Sequence, residues 1–267
     1  MLNNARQPGP TASGRRGERA FELDALRGLA LLLMVLHHLA FDLRYLFGKD
    51  VFAFQERWWF NHLLRPVFLL VFLVVSGICC SFSRSNTRRG LLLLAVAALV
   101  TVLSLIAAVW FALPLAILFN MLHVLALGTL FYAALTWRER RTGRKSPAVD
   151  VVLLLAASVV IYLFGLLPAW ADFGSYWLIP FGLLPVSGIG MADYLPLIPW
   201  VGFFMVGAVI GRQVYSGRTS AFPNAPSWVR TLSRPFALAG RNSLLIYVFH
   251  QPVLLGILFA LRFIGLI

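Results

Sequence analysis

Apolar residues are gathered in long runs along this chain, and polar residues lie mainly in the connections between the runs. The runs of spanning length lie at 25–46, 58–83, 91–112, 115–136, 149–169, 195–213 and 238–262. A transmembrane helix needs about 20 mainly apolar residues, whereas the strands of a membrane barrel are shorter and alternate in polarity. The pattern therefore predicts an all-α, polytopic transmembrane helix bundle of about seven spans.

The connections after the second, fourth and sixth runs are rich in basic residues, namely Arg84, Arg88, Arg89, Arg138, Arg140, Arg141, Arg144, Lys145, Arg212, Arg218, Arg230 and Arg234. The intervening connections carry almost no excess positive charge. Lys and Arg collect in cytoplasmic connections. We therefore predict that the N-terminus is cytoplasmic and the C-terminus external.

Composition supports a membrane protein with one domain at 21–267. Hydrophobic residues make up 60% and charged residues 12% of the 267 residues, against about 45–50% and about 25% in soluble domains. The net charge of +13 lies in the connections and in residues 1–20, so it does not indicate a nucleic-acid partner. Residues 1–20 are predicted to form a disordered basic cytoplasmic tail against anionic headgroups. Cys79 and Cys80 are interpreted as packing residues, and no metal site is predicted.

The segment 170–196 interrupts an apolar stretch with Trp, Pro and Gly residues and contains Asp172 and Asp193. Aromatic residues of this kind suit the headgroup zone. The segment is predicted to be a re-entrant or interfacial external loop.

Four ionisable residues share one face of the first predicted helix. At 100° per residue, Asp24, Arg27, His38 and Asp42 occupy an arc of about 60°, while His37 points about 140° away from Asp24. Each such group costs roughly 2.5–3.5 kcal/mol in a bilayer. This stripe is therefore predicted to face a protein interior or a water-filled cavity.

Histidines of three predicted spans lie at similar depth. His38, His123 and His250 are expected in the middle to outer bilayer, where they either share one cavity or make separate interhelical hydrogen bonds. Asp42 lies one turn from His38 and can hold one imidazole nitrogen as a donor, leaving the other as a base.

Further polar residues lie at both ends of the predicted bundle. Arg27 and Asp24 precede the first run, and Arg241 and Asn242 occupy the matching end of the last; arginines there either hold phosphate or reach lipid headgroups. A second polar stripe is formed by Ser243, Tyr247, His250 and Gln251. Asn61, His62 and Arg65 form an external cluster that contacts either a substrate or solvent.

Three segments carry a resemblance to a known family: LDALRGLALLLMVLHHLAFDL at 23–43, NMLHVLALG at 120–128 and AGRNSLLIYVFHQPVLLG at 239–256. They resemble bacterial relatives of the catalytic domain of heparan-alpha-glucosaminide N-acetyltransferase, within the transmembrane acyltransferase superfamily. The resemblance implies that an acetyl group moves from cytoplasmic acetyl-CoA to an amine or hydroxyl of a sugar or envelope glycan. It also implies a histidine catalyst and a bacterial inner membrane. The lysosomal enzyme has its proposed histidine between the first two spans, but residues 45–58 contain none.

The leading hypothesis is accordingly a membrane acyltransferase. Arg27 and Arg241, with Asp24 and Asn242 beside them, would bind CoA. His38, oriented by Asp42, would act as base or carry the acyl group. His123 and His250 would position the acceptor or stabilise the oxyanion, and the acceptor would be contacted by Tyr247, Gln251, Asn61 and His62. The alternatives are a transporter or proton relay with midplane histidines, and a haem protein with two axial histidines.

Overall fold

A computed structural model describes residues 20–111, 116–185, 191, 193–217 and 219–267. This part of the chain is helical and contains no strand, which confirms the all-α part of the predicted fold class. The predicted tail at 1–20 lies outside the described residues except for Ala20, and so does Arg218. The α-helices are α1 Phe21–Phe41, α2 Arg65–Ile78, α3 Asn86–Phe111, α4 Met121–Leu135, α5 Trp137–Thr142, α6 Pro147–Leu166, α7 Trp200–Gln213, α8 Ser227–Arg241 and α9 Ser243–Phe263.

Shorter helical segments complete the described part. Asp42–Leu46 extends α1 in a π-helical pattern, and Phe60–Leu64 leads into α2 in the same way. Three 3-10 segments lie in the connections, at Ala53–Glu56, Leu167–Phe173 and Tyr176–Phe181. Leu167–Phe173 begins at the end of the predicted span 149–169 and reaches into the predicted external loop at 170–196, and Tyr176–Phe181 lies within that loop. The described part of the loop is therefore short helix and connecting chain rather than a full span.

Contacts between helices give their relative directions. Gly207 packs on the Val74 carbonyl and Gly211 on the Ile78 carbonyl, so α7 runs in the same direction as α2. Gly90 packs on Leu130, and the Ser104 hydroxyl accepts from the Ile117 N–H, so α3 and α4 are antiparallel. The small residues let backbones approach closely, as is common between membrane helices.

The seven helices that match the predicted runs are α1, α2, α3, α4, α6, α7 and α9. Among the described residues, five segments are suited by length and composition to crossing a membrane: Phe21–Leu46, Phe60–Ile78, Asn86–Trp110, Pro147–Phe173 and Ser243–Phe263. The helices α4 and α7 have 15 and 14 residues, which is about 22 Å against a hydrocarbon core of about 30 Å. Seven spans and a cytoplasmic N-terminus remain predictions.

The predicted last run at 238–262 is divided in the structure. Its first residues end α8 at Arg241, and α9 begins at Ser243 after a break at Asn242. Gly240 packs against Gly28 with no room for a side chain on either residue. This contact and the His250–His38 ring pair show that α8 and α9 follow α1 in the same direction. The broken helix therefore places two polar stripes side by side.

One buried ion-pair cluster joins α5, α6 and α7 at the end of the bundle where α1 begins. Arg212 is 5% exposed and donates to both oxygens of Glu139, at 2.6 and 2.8 Å, and to Asp150. Arg212 also donates to the Ser146 carbonyl at 3.2 Å. We call Arg212, Glu139 and Asp150 the Arg212 cluster. All three guanidinium nitrogens of Arg212 have acceptors supplied by the protein, so the cluster fixes three helices together.

Candidate active site

A cavity of about 180 Å³ lies between α1, α2, α3, α4 and the start of α9. We call it the inner cavity; its lining is Arg27, Phe72, Ser76, Arg89, Leu92, Leu93, Leu122, Leu125, Ser243, Leu244 and Tyr247. The Nε and Nη2 atoms of Arg27 are buried and have no hydrogen-bond partner among the described residues. Buried donors without partners are costly, so these atoms favour an anionic ligand in the inner cavity.

The other predicted CoA-binding residues lie elsewhere. Arg241 Nε donates to Asp24 Oδ2 at 3.3 Å, and the Arg241 side chain is 44% exposed. Asn242 donates its amide to the Leu238 carbonyl, one turn back in its own helix. The structure therefore brings Arg27 together with Arg89, one of the basic residues that follow the second predicted run. Nothing in the sequence distinguishes Arg89 from the other arginines of that connection.

His38 and His250 meet between α1 and α9, with ring centroids 5.0 Å apart. His250 Nδ1 lies 2.6 Å from the Tyr247 carbonyl. Since a carbonyl can only accept, Nδ1 carries the proton of neutral His250, and Nε2 keeps a lone pair. That Nε2 atom is buried and has no partner in the described part of the chain. His250 thus presents a basic nitrogen inside the bundle.

The carboxylate next to His38 is Asp193, and not Asp42 as predicted. Asp193 Oδ1 lies 4.0 Å from His38 Nε2, and Asp193 Oδ2 accepts from the Tyr247 hydroxyl at 2.7 Å. Asp42 instead accepts from Gln251 Nε2, at 3.1 and 2.9 Å to its two oxygens. The helix takes up a π-helical pattern from Asp42 onward. The Asp42 carboxylate is hydrogen-bonded by Gln251 of the parallel helix α9. Sequence spacing within α1 cannot reveal this second helix.

His123 also departs from the predicted arrangement. Its Nδ1 accepts from the Asn120 N–H at 3.2 Å in a capping box at the start of α4, and its ring stacks on Phe119 at 4.8 Å. A side chain used as a helix cap satisfies backbone groups that would otherwise be unpaired. The third histidine next to the His38–His250 pair is therefore His37, whose ring centroid lies 5.6 Å from that of His38.

A residue of the loop after α1 covers His37. Gln55 is 4% exposed, and its Nε2 lies 2.9 Å from the His37 carbonyl and 3.0 Å from His37 Nδ1. Its Oε1 is buried without a partner among the described residues. Gln55 cannot be recognised from the sequence, because a single Gln in a polar loop is usually solvated.

The predicted external cluster lies at the surface. Asn61 donates to the Gln55 carbonyl at 2.7 Å, and His62 stacks on Trp58 with ring centroids 5.4 Å apart. Asn61, His62 and Arg65 are all exposed. The Asn61 hydrogen bond supports the loop over His37. His62 is exposed and lies apart from His37, His38 and His250.

The buried atoms without partners differ in kind between the two ends of the site. At the inner cavity they are the donors Nε and Nη2 of Arg27. Near the histidines they are Oε1 of Gln55, Oε1 of Gln251 and Nε2 of His250, all acceptors. The site is therefore complementary to an anionic group at one end and to hydroxyl or amine donors at the other.

These features define a polytopic helical membrane protein with a polar site inside its bundle. The chain belongs to the heparan-alpha-glucosaminide N-acetyltransferase catalytic family, because the model described as "Heparan-alpha-glucosaminide N-acetyltransferase, catalytic" matches residues 19–252, most of the chain. This match confirms the resemblance stated above. No curated protein and no solved structure matches the chain.

Proposed function

We propose that the protein is a membrane acetyltransferase of the bacterial inner membrane. It takes the acetyl group of acetyl-CoA at the inner cavity and transfers it to an amine or hydroxyl of a sugar or envelope glycan at the histidine end. Family membership supports acetyl transfer in general. One observation carries the residue assignment. Tyr247 lines the inner cavity and also binds Asp193, which faces His38, so the two ends of the site are joined.

The inner cavity is assigned to the acyl donor. Its volume of about 180 Å³ is below the range of about 300–1,000 Å³ for whole ligands, so it accepts the slender acyl-bearing arm and leaves the nucleotide nearer the surface. Arg27 and Arg89 then bind phosphate oxygens, for which the guanidinium geometry is suited. The Nε and Nη2 atoms of Arg27 gain hydrogen-bond acceptors only when the acyl donor is bound.

The histidines are assigned to proton transfer. Nε2 of His250, or the ring nitrogen of His38 that does not face Asp193, accepts the proton of the acceptor amine or hydroxyl as it attacks the thioester carbonyl. The carbon–sulfur bond then breaks, the sulfur takes the proton back from the imidazolium, and CoA leaves as the free thiol. Gln55 and Gln251 bind further donors of the acceptor molecule through their free Oε1 atoms. His123, as a helix cap, acts on the position of α4.

Acetyl-CoA binding tests the donor site without knowledge of the acceptor. Titration calorimetry on the detergent-purified protein should show saturable binding, weakened at least tenfold by Arg27→Ala and several-fold by Arg89→Ala, since charged hydrogen bonds are worth about 1.5–3 kcal/mol. Arg140→Ala is the matched control, because it removes an exposed arginine of α5 outside the inner cavity. Absence of binding by folded wild-type protein would reject acetyl-CoA as the donor.

Acetyl transfer to glucosamine, followed with labelled acetyl-CoA, tests the histidines. His38→Ala and His250→Ala should each lower the rate at least a hundredfold, as expected for a general base. His62→Ala should leave the rate within a factor of two, because His62 is exposed. Full activity of both His38→Ala and His250→Ala would remove the proposed proton transfer.

A proton relay is the second candidate, favoured by the row of rings His37, His38 and His250 at 5.6 and 5.0 Å. It predicts proton flux in liposomes without any acyl donor. Flux that is abolished by His38→Ala and unaffected by acetyl-CoA would favour this function over acetyl transfer.

A further inference from the structure

Asp193 lies in the connection before α7, a segment whose sequence suggests an interfacial anchor. Its φ of 48° is in the left-handed region, which Asp tolerates better than most residues. Backbone conformations of this kind are uncommon and are retained where the surroundings require them. Here the carboxylate binds the buried Tyr247 hydroxyl at 2.7 Å and faces His38 at 4.0 Å.

Asp193 touches both ends of the proposed site. Tyr247 is 6% exposed and lines the inner cavity, whereas His38 pairs with His250. The carboxylate of Asp42 is engaged by Gln251. Within the described residues, Asp193 is therefore the carboxylate in ion-pair range of His38.

We propose that Asp193 is a positioning residue. Its carboxylate orients His38 and the Tyr247 phenol together, so that the external segment completes the site from outside. The importance of Asp193 for catalysis rests on the proposed acetyl transfer, whereas its contacts with His38 and Tyr247 do not depend on that proposal. A purely structural role would need only the hydrogen bond from Tyr247 and not the charge.

The charge has a consequence that can be measured at His38. The other titratable groups that act on it are His37 on its own helix, His250 on α9 and Arg65 near the start of α2. These three are neutral or positive, so Asp193 is the group that favours protonated His38. Loss of the Asp193 charge should therefore raise the fraction of His38 that is neutral at a given pH.

Diethyl pyrocarbonate reacts with neutral imidazole, and tandem mass spectrometry locates each modified histidine. The test variant is Asp193→Asn, which keeps an oxygen for the Tyr247 hydroxyl and removes the charge. We expect the pH midpoint of His38 modification to fall by about one unit, so that the rate on the acid side of the wild-type midpoint rises several-fold. Asp172→Asn is the matched control, because Asp172 is exposed in the same segment; it should leave the profile unchanged.

Two further measurements keep the test decisive. Tyr247→Phe retains the carboxylate and should leave the His38 midpoint where it is; an equal fall in this variant would assign the effect to packing and overturn the proposal. If Asp193→Asn does not fold, wild-type protein decides. There the midpoint of His38 should lie above that of His37, whose imidazole is bound by the neutral Gln55.

An unchanged His38 profile in folded Asp193→Asn would overturn the proposal. The result is independent of acetyl-CoA, so failure of acetyl-CoA binding would remove the proposed reaction and leave the role of Asp193 intact. Once transfer is measured, Asp193→Asn should lower kcat at least tenfold with little change in the KM for acetyl-CoA, because it acts through His38 and not on the donor.

Discussion

Two arginines with buried guanidinium nitrogens lie at the same end of the bundle and have opposite surroundings. Arg212 donates to Glu139, to Asp150 and to the Ser146 carbonyl. Arg27, in contrast, has buried Nε and Nη2 atoms without partners in the described part of the chain, and it lines the inner cavity. Both are single arginines near the end of an apolar run, and the sequence alone does not tell them apart.

The difference separates a structural arginine from a binding arginine. A buried charge whose partners are all supplied by the protein holds helices in place and leaves nothing for a ligand. A buried guanidinium with free donors is unfavourable until an anion arrives, so it is retained for binding. Substitution should therefore affect stability at Arg212 and binding at Arg27.

The largest effect is expected for Arg212→Met. It leaves the Glu139 and Asp150 carboxylates buried without their cation, which costs about 3–5 kcal/mol. We expect Tm in detergent to fall by about 10 °C, measured by thermal unfolding of the purified protein. Arg140→Met is the control and should change Tm little, because that arginine is exposed. A similar Tm in both variants would show that the Arg212 cluster is not structural.

A smaller loss is expected for Gly28→Ala. The added methyl group would overlap the Phe236 carbonyl of α8 and force α1 and α8 apart, at a cost of about 1–3 kcal/mol. Because Arg27 precedes Gly28, acetyl-CoA binding should weaken as well. Gly256→Ala in α9 meets open space and should leave both Tm and binding intact. Normal Tm and binding in Gly28→Ala would contradict the close approach of α1 and α8.

Arg27→Met should leave the stability of the protein nearly unchanged or raise it slightly, in contrast to Arg212→Met. It removes donors that lack partners, so the free energy of unfolding should stay the same or rise by up to about 1 kcal/mol. Thermal unfolding without ligand measures this, and acetyl-CoA should raise Tm of the wild type but not of the variant. A loss as large as that of Arg212→Met would show that Arg27 is part of the structural framework.

The smallest expected effect is the contribution of Glu139 to the fall of Tm at acid pH. Burial raises the pKa of Glu139, but the hydrogen bonds from Arg212 and the Ser146 N–H lower it more, so its pKa lies below the ordinary value of 4.5. This stabilisation is present above pH 4.5 and is lost as the pH falls through the lowered pKa. Tm should accordingly fall below pH 4.5 in the wild type and less steeply in Glu139→Gln. Parallel curves would exclude Glu139 as a source of acid sensitivity.

The sequence predicted part of the site for a simple physical reason. Helical periodicity places Asp24, Arg27, His38 and Asp42 on one face, and the structure turns that face toward α8 and α9. The same periodicity carries no information about partners on other helices. Hence Asp42 was assigned to His38, although its actual partner is Gln251, more than two hundred positions away.

Other differences have the same origin. His123 was grouped with His38 by depth, but its imidazole is used by the capping box at Asn120, a local interaction that depth does not reveal. Asp193 lay in a segment whose aromatic residues indicated an interface. A lone acidic residue in an apolar stretch was the one signal for its role, because such a residue needs a buried partner.

The sequence by itself determined the helical membrane class, the family motifs and the polar face of α1. These follow from the length of apolar runs and from 3.6-residue periodicity, which are local properties of the chain. Only the tertiary structure decided which polar atoms are paired and which remain free. That outcome depends on which side chains of distant helices meet, as Arg212 and Glu139 do. Nε and Nη2 of Arg27 and Nε2 of His250, in contrast, have no hydrogen-bond partner among the described residues.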